Sequence, residues 1–296
     1  MIKLGIIGAG EWGTALAHVS YGADVTIFSR NKEVVTSINQ QHISPVFPGI
    51  LLDKSIKATN DISDLLQMEI IIIAIPAQNI RDALKQIENF RGEIIIAAKA
   101  IEVTSLKLLS DVVAEIMPNN SCSVISGPNF ASEIIMNYPA ICVIANKDIK
   151  KAAWLASVFN SDKFRVDYSC DIISVQIAGA LKNVLAIIAG FYYGKNNSEN
   201  ERAMIIADSI IEIKNIAIKL GGIDDTIYLP ALIGDIILSA TSIKSRNMKL
   251  GMEIACNIEN HAKLTEGIAT AKAVLAIAEK LNVEIPMLNR INNIIK

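Results

Sequence analysis

The sequence predicts an α/β chain, with a doubly wound parallel sheet in its first half and an all-helical second half. Three observations predict it. Short Ile- and Val-rich runs alternate with helical periods up to about Tyr168. Most of those runs are continuously apolar, as in strands covered on both faces. Beyond Tyr168 the strand-like runs stop while helical periods continue. A boundary near residue 170 divides the chain into 1–170 and 171–296, each of ordinary domain size.

Taken in order, the expected strands are Ile2–Ile7, Asp24–Ser29, Ile56–Thr59, Glu69–Ile75, Glu93–Ala98, Cys122–Ser126, Ala140–Ala145 and Phe164–Asp167. Helices are expected over Trp12–Ser20, Gln78–Ile87, Thr104–Met117 and Asp148–Phe159, then over Ile172–Tyr192, Glu199–Leu220, Thr265–Leu281 and Pro286–Ile295. The pair Gly221-Gly222 reads as a helix stop.

A content of 51% hydrophobic and 20% charged residues builds a large core and argues against disorder. A net charge of −2 argues against a nucleic-acid partner held by bulk electrostatics. The start of the chain does not read as a secretory leader, because the apolar run Leu4 to Ile7 stops at glycine. Asp171 to Tyr193 is the most membrane-like segment. It carries Gln176, Lys182 and Asn183 near its middle, and a lysine centred in lipid is costly. It therefore reads as a buried helix, and no membrane span is expected. Cys122, Cys142, Cys170 and Cys256 form no CxxC pair, and read as buried free thiols in a reducing, cytoplasmic setting. With only His18, His42 and His261 besides, no metal site is expected.

Gly8, Gly10 and Gly13 follow the first strand directly and open a helix. The first glycine allows a tight turn, the second lets backbone approach a pyrophosphate, and the third permits close helix–strand packing. The helix N-terminus adds N–H donors and a favourable dipole. This placement predicts a Rossmann-like dinucleotide site. At the end of the second strand, where an acid would bind the 2′-hydroxyl of NAD, stand Ser29 and Arg30. Arginine binds a 2′-phosphate bidentately, so NADPH is the expected cofactor, or one accepted beside NADH. The plainer reading is that Arg30 stacks on the adenine.

The run Val175 to Leu185 carries Gln176, Gly179, Lys182 and Asn183 on one stripe of an otherwise apolar helix. Gly179 leaves room for a close approach. Stranding Lys182 and Asn183 without partners would cost several kcal/mol, on the order of the penalty for unpaired buried polar groups, so partners or a ligand are required. Desolvation lowers the pKa of a lysine and suits it to proton transfer near neutrality, while a neighbouring carboxylate acts oppositely. The alternative is a structural lysine paired with an acid. Ser245-Arg246-Asn247 reads as a loop that could cradle a phosphate or lie as solvated surface. Gly234-Asp235 alone reads as a turn.

Together, Gly8–Ala17 (GAGEWGTALA), Val46–Leu51 (VFPGIL), Ile75–Gln78 (IPAQ), Gly127–Ala131 (GPNFA), Gly179–Asn183 (GALKN), Ser245–Asn247 (SRN) and Thr265–Gly267 (TEG) resemble the bacterial-type NAD(P)-dependent glycerol-3-phosphate dehydrogenases over nearly the whole chain. The resemblance implies reversible reduction of dihydroxyacetone phosphate to sn-glycerol 3-phosphate, which supplies phospholipid synthesis, and a homodimer. It implies Lys182 as proton donor and acceptor. It implies substrate contacts at Lys99, Gly127, Asn129, Lys182, Asn183, Asp235, Ser245, Arg246 and Asn247. Cofactor contacts are implied at Gly8, Gly10, Glu11, Trp12, Gly13, Arg30, Lys99, Ala131, Arg246, Leu264 and Glu266.

The sequence departs from the family pattern at Ala100 after Lys99 (usually glycine), Asn129 (serine), Gln176 (glutamate) and Asp208 (arginine), and in Leu232-Ile233-Gly234, where the family loop is richer in glycine. Two other readings stay open here. One is a related reductase of the ketopantoate reductase or 3-hydroxyacid dehydrogenase type. The other is a non-catalytic NADP-binding regulator.

Overall fold

The structure, a computed structural model, describes residues 1–258 and 266–295. In chain order its strands are β1 (Lys3–Ile7), β2 (Asp24–Phe28), β3 (Lys57–Thr59), β4 (Ile70–Ile73), β5 (Glu93–Ile96), β6 (Ile101–Glu102), β7 (Lys107–Leu108), β8 (Cys122–Ser126), β9 (Ala140–Asn146) and β10 (Phe164–Ser169). The helices are α1 (Glu11–Val19), α2 (Lys32–Thr36), α3 (Ile80–Gln86), α4 (Leu109–Ile116), α5 (Ala131–Ile134), α6 (Ile149–Phe159), α7 (Ile172–Asn196), α8 (Glu199–Lys219), α9 (Pro230–Thr241), α10 (Arg246–Ala255), α11 (Glu266–Leu281) and α12 (Ile291–Ile294).

The chain forms two compact units: Met1–Ala98 with Leu109–Ile125 and Asn129–Cys170, and Lys99–Leu108 with Ser126–Pro128 and Asp171–Lys296. The first unit holds an eight-stranded sheet in the order β10-β9-β8-β5-β4-β1-β2-β3. All eight expected strands are present. Their side chains explain the apolar runs: Ile70, Ile71, Ile72 and Ile73 of β4 and Ile94, Ile95 and Ile96 of β5 are fully buried on both faces. The sheet is not wholly parallel as expected. Asn146, last in β9, donates its side-chain amide to the carbonyl of Cys122, first in β8 (3.2 Å). Those two strands therefore run in opposite directions. Since β10 is parallel to β9, the pair runs against the other six. The chain order reverses where β1 lies between β2 and β4, the kind of point where such sheets bind ligands.

The second unit is helical, apart from the two-stranded β6–β7 hairpin. That hairpin corrects the expected helix at Thr104–Met117. Leu106 has φ +57°, outside helical space, and the helix begins only at Leu109. The long apolar helix α7 is the one described helix long and apolar enough to cross a membrane, and 83% of its most apolar window is buried inside the protein. Asp171 caps α7 by accepting from Ser174 N (2.9 Å), and its other oxygen accepts from Ile223 N (2.7 Å). The helix stop at Gly221 is present, with φ +96°. The expected helix Pro286–Ile295 is shorter, a 3₁₀ turn at Leu288–Arg290 followed by α12. Its entry is held by Glu212, whose carboxylate accepts from Met287 N and Leu288 N at 2.6 and 2.8 Å. The expectation of buried thiols holds for Cys142, whereas Cys170 and Cys256 are exposed.

Candidate active site

In the first unit, the segments that follow β1, β2 and β4 line a cleft of about 530 Å³, with Gly8, Gly10, Ser29, Arg30 and Pro76 among its walls. Gly8 takes φ +120°, and a Cβ there would lie 2.6 Å from the carbonyl oxygen of Ala74. A Cβ on Gly13 would lie 1.9 Å from the carbonyl oxygen of Gly8. These two glycines are demanded by the protein's own backbone. Gly10 differs: a Cβ there would meet no atom of the described residues within 4 Å. The space it leaves opens into the cleft at the N-terminus of α1, which suits a pyrophosphate. Arg30 is exposed at the cleft, directly after β2. Asn31 follows it and caps α2 by accepting from Glu33 N (2.8 Å). No acid follows β2 within Ser29–Asn31, so the donor set fits a dinucleotide with a 2′-phosphate.

Four more predicted residues belong to this unit, Glu11, Trp12 and Ala131 expected at the cofactor and Asn129 at the substrate. Glu11 is exposed in the first turn of α1. Trp12 donates its ring N–H to the carbonyl of Ala97 (3.2 Å). Ala131 begins α5. Asn129 donates its amide to the carbonyl of Ile141 (3.2 Å), while its buried Oδ1 has no hydrogen-bond partner among the described residues.

The second unit gathers Lys99, Ser126, Gly127, Lys182, Asn183 and Asp235 from four stretches of chain. Asp235 is 2% exposed. It lies inside α9 rather than in the turn that Gly234-Asp235 suggests, because Pro230 opens a helix that continues through both residues. Its Oδ1 accepts from Lys182 Nζ. Its Oδ2 accepts from Lys99 Nζ at 2.8 Å, with the Ser126 hydroxyl at 3.5 Å. Lys99 Nζ also donates to the carbonyl of Gly127 (2.7 Å). Two ammonium groups thus share one carboxylate. Burial pulls Lys182 down from 10.5 to about 8, the Asp235 carboxylate opposes this, and the Lys99 ammonium adds to the depression. The room left by Gly179 is taken by neighbours: a Cβ there would lie 3.0 Å from Ser126 Oγ and 3.5 Å from Lys99 Cγ.

Asn183 donates to the carbonyl of Lys99 (3.2 Å) and accepts from Asn247 Nδ2 (3.0 Å). The segment Ser245-Arg246-Asn247 is a helix start rather than a loop. Ser245 is the N-cap of α10 and accepts from Met248 N (3.3 Å). Arg246 is exposed in the first turn. The buried Oδ1 of Asn247 has no hydrogen-bond partner among the described residues. The first turn of α10 thus brings together a helix N-terminus, a guanidinium and an amide, groups that attract anions.

In the second unit, then, Lys99, Gly127, Lys182, Asn183, Asp235 and Asn247 fall on one hydrogen-bonded network. Leu264 and the Glu266 side chain lie outside the described residues. Of the departures, Asp208 is exposed on α8, and Gln176 donates to the carbonyl of Ile172 (3.1 Å), one turn back. Sequence reasoning missed Ser126. Its only signal is its place beside Gly127 at the end of an apolar strand, and nothing in its own pattern pairs it with a residue 109 positions away.

A glycine-lined turn at the switch point of a doubly wound sheet, followed by a helical unit with a buried lysine–aspartate centre, defines the class of nicotinamide-dependent dehydrogenases. The profile described as NAD-dependent glycerol-3-phosphate dehydrogenase N-terminus matches residues 3–152, and that of the family's C-terminus matches residues 171–296. A glycerol-3-phosphate dehydrogenase [NAD(P)+] of Zymomonas mobilis is 36% identical over 301 residues, covering 99% of this chain and 88% of its own. One from Caulobacter vibrioides is 37% identical over 297 residues, covering 96% and 90%. The crystal structure of glycerol-3-phosphate dehydrogenase from Coxiella burnetii matches with a TM-score of 0.90 at 26% identity, over 99% of this chain and 94% of that one. The chain belongs to the NAD-dependent glycerol-3-phosphate dehydrogenase family and is an oxidoreductase.

Proposed function

We propose that the protein reduces dihydroxyacetone phosphate reversibly to sn-glycerol 3-phosphate with NADPH or NADH, and that Lys182 supplies the proton. The observation that carries this reading is the buried Lys182 on Asp235, with its pKa pulled down to about 8. A bound nicotinamide would supply a hydride to the ketone carbon. Negative charge then develops on the ketone oxygen, and the Lys182 ammonium neutralises it by giving up a proton. Asp235 holds that ammonium in one orientation, and Lys99 sits on the same carboxylate as a second positive group. Ser245, Arg246 and Asn247, at the start of α10, hold the remote phosphate, so its binding energy orients the carbonyl. Gly127, Asn129 and Asn183 complete the polar lining for substrate.

Gly8, Gly10 and Gly13 would hold the cofactor's pyrophosphate, and Arg30 its 2′-phosphate. Glu11, Trp12, Lys99, Ala131, Arg246, Leu264 and Glu266 are its further contacts. The product feeds phospholipid synthesis. We further propose a cytoplasmic homodimer, with residues 1–170 as the dinucleotide-binding domain and 171–296 as the substrate domain. The deciding experiment measures NADPH and NADH oxidation with dihydroxyacetone phosphate and with 2-dehydropantoate. Turnover of the first alone supports the reading, and turnover of the second alone overturns it.

A further inference from the structure

Four residues on one face of α7, Asn183, Ile187, Gly190 and Gly194, are spaced by four, three and four positions. They meet one face of α10 in the same sequence direction. Asn183 is bonded to Asn247. A Cβ on Gly251 would lie 2.1 Å from the carbonyl oxygen of Ile187, and one on Gly190 would lie 2.1 Å from the carbonyl oxygen of Met248. Near the end of both helices, a Cβ on Gly194 would lie 3.0 Å from Met252 Cα and from Ala255 Cβ. Between Ile187–Gly194 on α7 and Met248–Met252 on α10 the two helices therefore touch backbone to backbone. Their register is fixed by fully packed atoms, since interiors are close-packed and do not deform continuously.

The register matters because of what each helix carries. On α7, Lys182 immediately precedes Asn183. On α10, Arg246 and Asn247 form the first turn. The glycine contact thus sets the span between the proton-donating ammonium and the N-terminus of α10.

We propose that this contact is a ruler for substrate length. It holds Lys182 and the anion cradle at the separation demanded by a ketone one methylene away from its phosphate ester. The proposal rests on the reading above, in which Lys182 serves the ketone and α10 the phosphate. Gly190, Gly194 and Gly251 are then positioning residues that touch no substrate and decide which phosphorylated ketone fits.

The test compares dihydroxyacetone phosphate with its four-carbon homologue, which has one extra methylene between carbonyl and phosphate ester. A methylene misfit is worth about 10–200-fold in kcat/KM, so the wild type should prefer the three-carbon ketone by that order. Gly194→Ala asks the helices to part by a few tenths of an ångström at their far ends. It should lower the preference at least fivefold, with the loss on the three-carbon ketone appearing mainly in KM. The double change Gly194→Ala with Ala255→Gly removes one of the two contacts that the new Cβ meets, leaving Met252 Cα, and should recover part of the preference. Ala255→Val pushes on the same contact from α10 and serves if Gly194→Ala folds poorly. The midpoint near pH 8 should stay put in every variant, because Lys182 and Asp235 are untouched. A preference unchanged within twofold in folded Gly194→Ala and Ala255→Val overturns the ruler. So does a uniform fall in kcat for both ketones that merely follows thermal stability. If the wild type reduces neither ketone, the proposed function fails instead, and the two failures are told apart.

Discussion

The cleft of the first unit and the lysine–aspartate centre of the second are built in opposite ways. The turn at the cleft is a feature of backbone, and its decisive residues, Gly8, Gly10 and Gly13, lie within six consecutive positions, the first two lining the cleft. The centre is made of side chains, and it draws Lys99, Ser126, Lys182 and Asp235 from across 137 positions. Backbone sites tolerate changes of side chain unless a Cβ collides with something. Side-chain sites fail when a single functional group is removed.

The largest effect that would sharpen this contrast is at Lys182. Lys182→Met keeps the bulk of the stem and removes the ammonium, and kcat should fall by about 10²–10⁴, the usual worth of a positioned general acid. Near-normal kcat would break the assignment. Because Asp235 keeps Lys99 as a partner, the variant should remain folded, which a circular-dichroism melt checks. The corresponding loss in the first unit is one of folding rather than chemistry. Gly13→Ala places a methyl 1.9 Å from the Gly8 carbonyl oxygen. Its cost should lie at or above the upper end of the ~1–3 kcal/mol typical of overpacking, read as a clearly lowered Tm whether or not cofactor is present.

The pH profile has the next largest effect. Reduction needs Lys182 protonated. With its pKa pulled to about 8, the reductive rate should fall through pH 8 as pH rises, to roughly a tenth between pH 7 and pH 9. Oxidation of sn-glycerol 3-phosphate needs the neutral amine, so its rate should rise over the same interval. A reductive rate flat to pH 10 would place the titrating proton elsewhere. In the first unit, Arg30→Ala should lower kcat/KM for NADPH by about tenfold, in line with the loss of one charge-assisted hydrogen bond, and change it little for NADH. Equal losses with both cofactors would mean that Arg30 stacks on the adenine instead.

The same contrast explains what was legible in the sequence. The Gly8–Gly13 turn and every strand of the main sheet could be read in advance, because local spacing and continuous apolar runs decide them. Lys182 stood out because a charge in an apolar helix needs a partner, but its partner did not. Asp235 sits beside Gly234, and a Gly-Asp pair reads locally as a turn. The helix opened by Pro230 runs through both residues, and an ideal Cβ on Gly234 would lie 3.2 Å from the Pro128 ring. Ser245 read as loop because a capping serine and a surface serine look alike without the Met248 N–H that it accepts. The reversal of β9 and β10 was hidden because an apolar strand carries no mark of its direction. Leu106 was hidden as well, since nothing about a leucine announces a positive φ.

The smallest effect is the most discriminating for the cleft. Gly10→Ala adds a methyl that meets no atom of the described residues within 4 Å, so thermal stability should be unchanged or raised slightly, as glycine-to-alanine changes do where φ is negative. At Gly10 φ is −76°. If its missing side chain serves the pyrophosphate, KM for NADPH and NADH should rise together by several-fold while kcat holds. A variant with unchanged KM for both would mean that the space at Gly10 lies outside the cofactor's path. The turn would then owe its glycines to Gly8 and Gly13 alone, that is, to the protein's own packing.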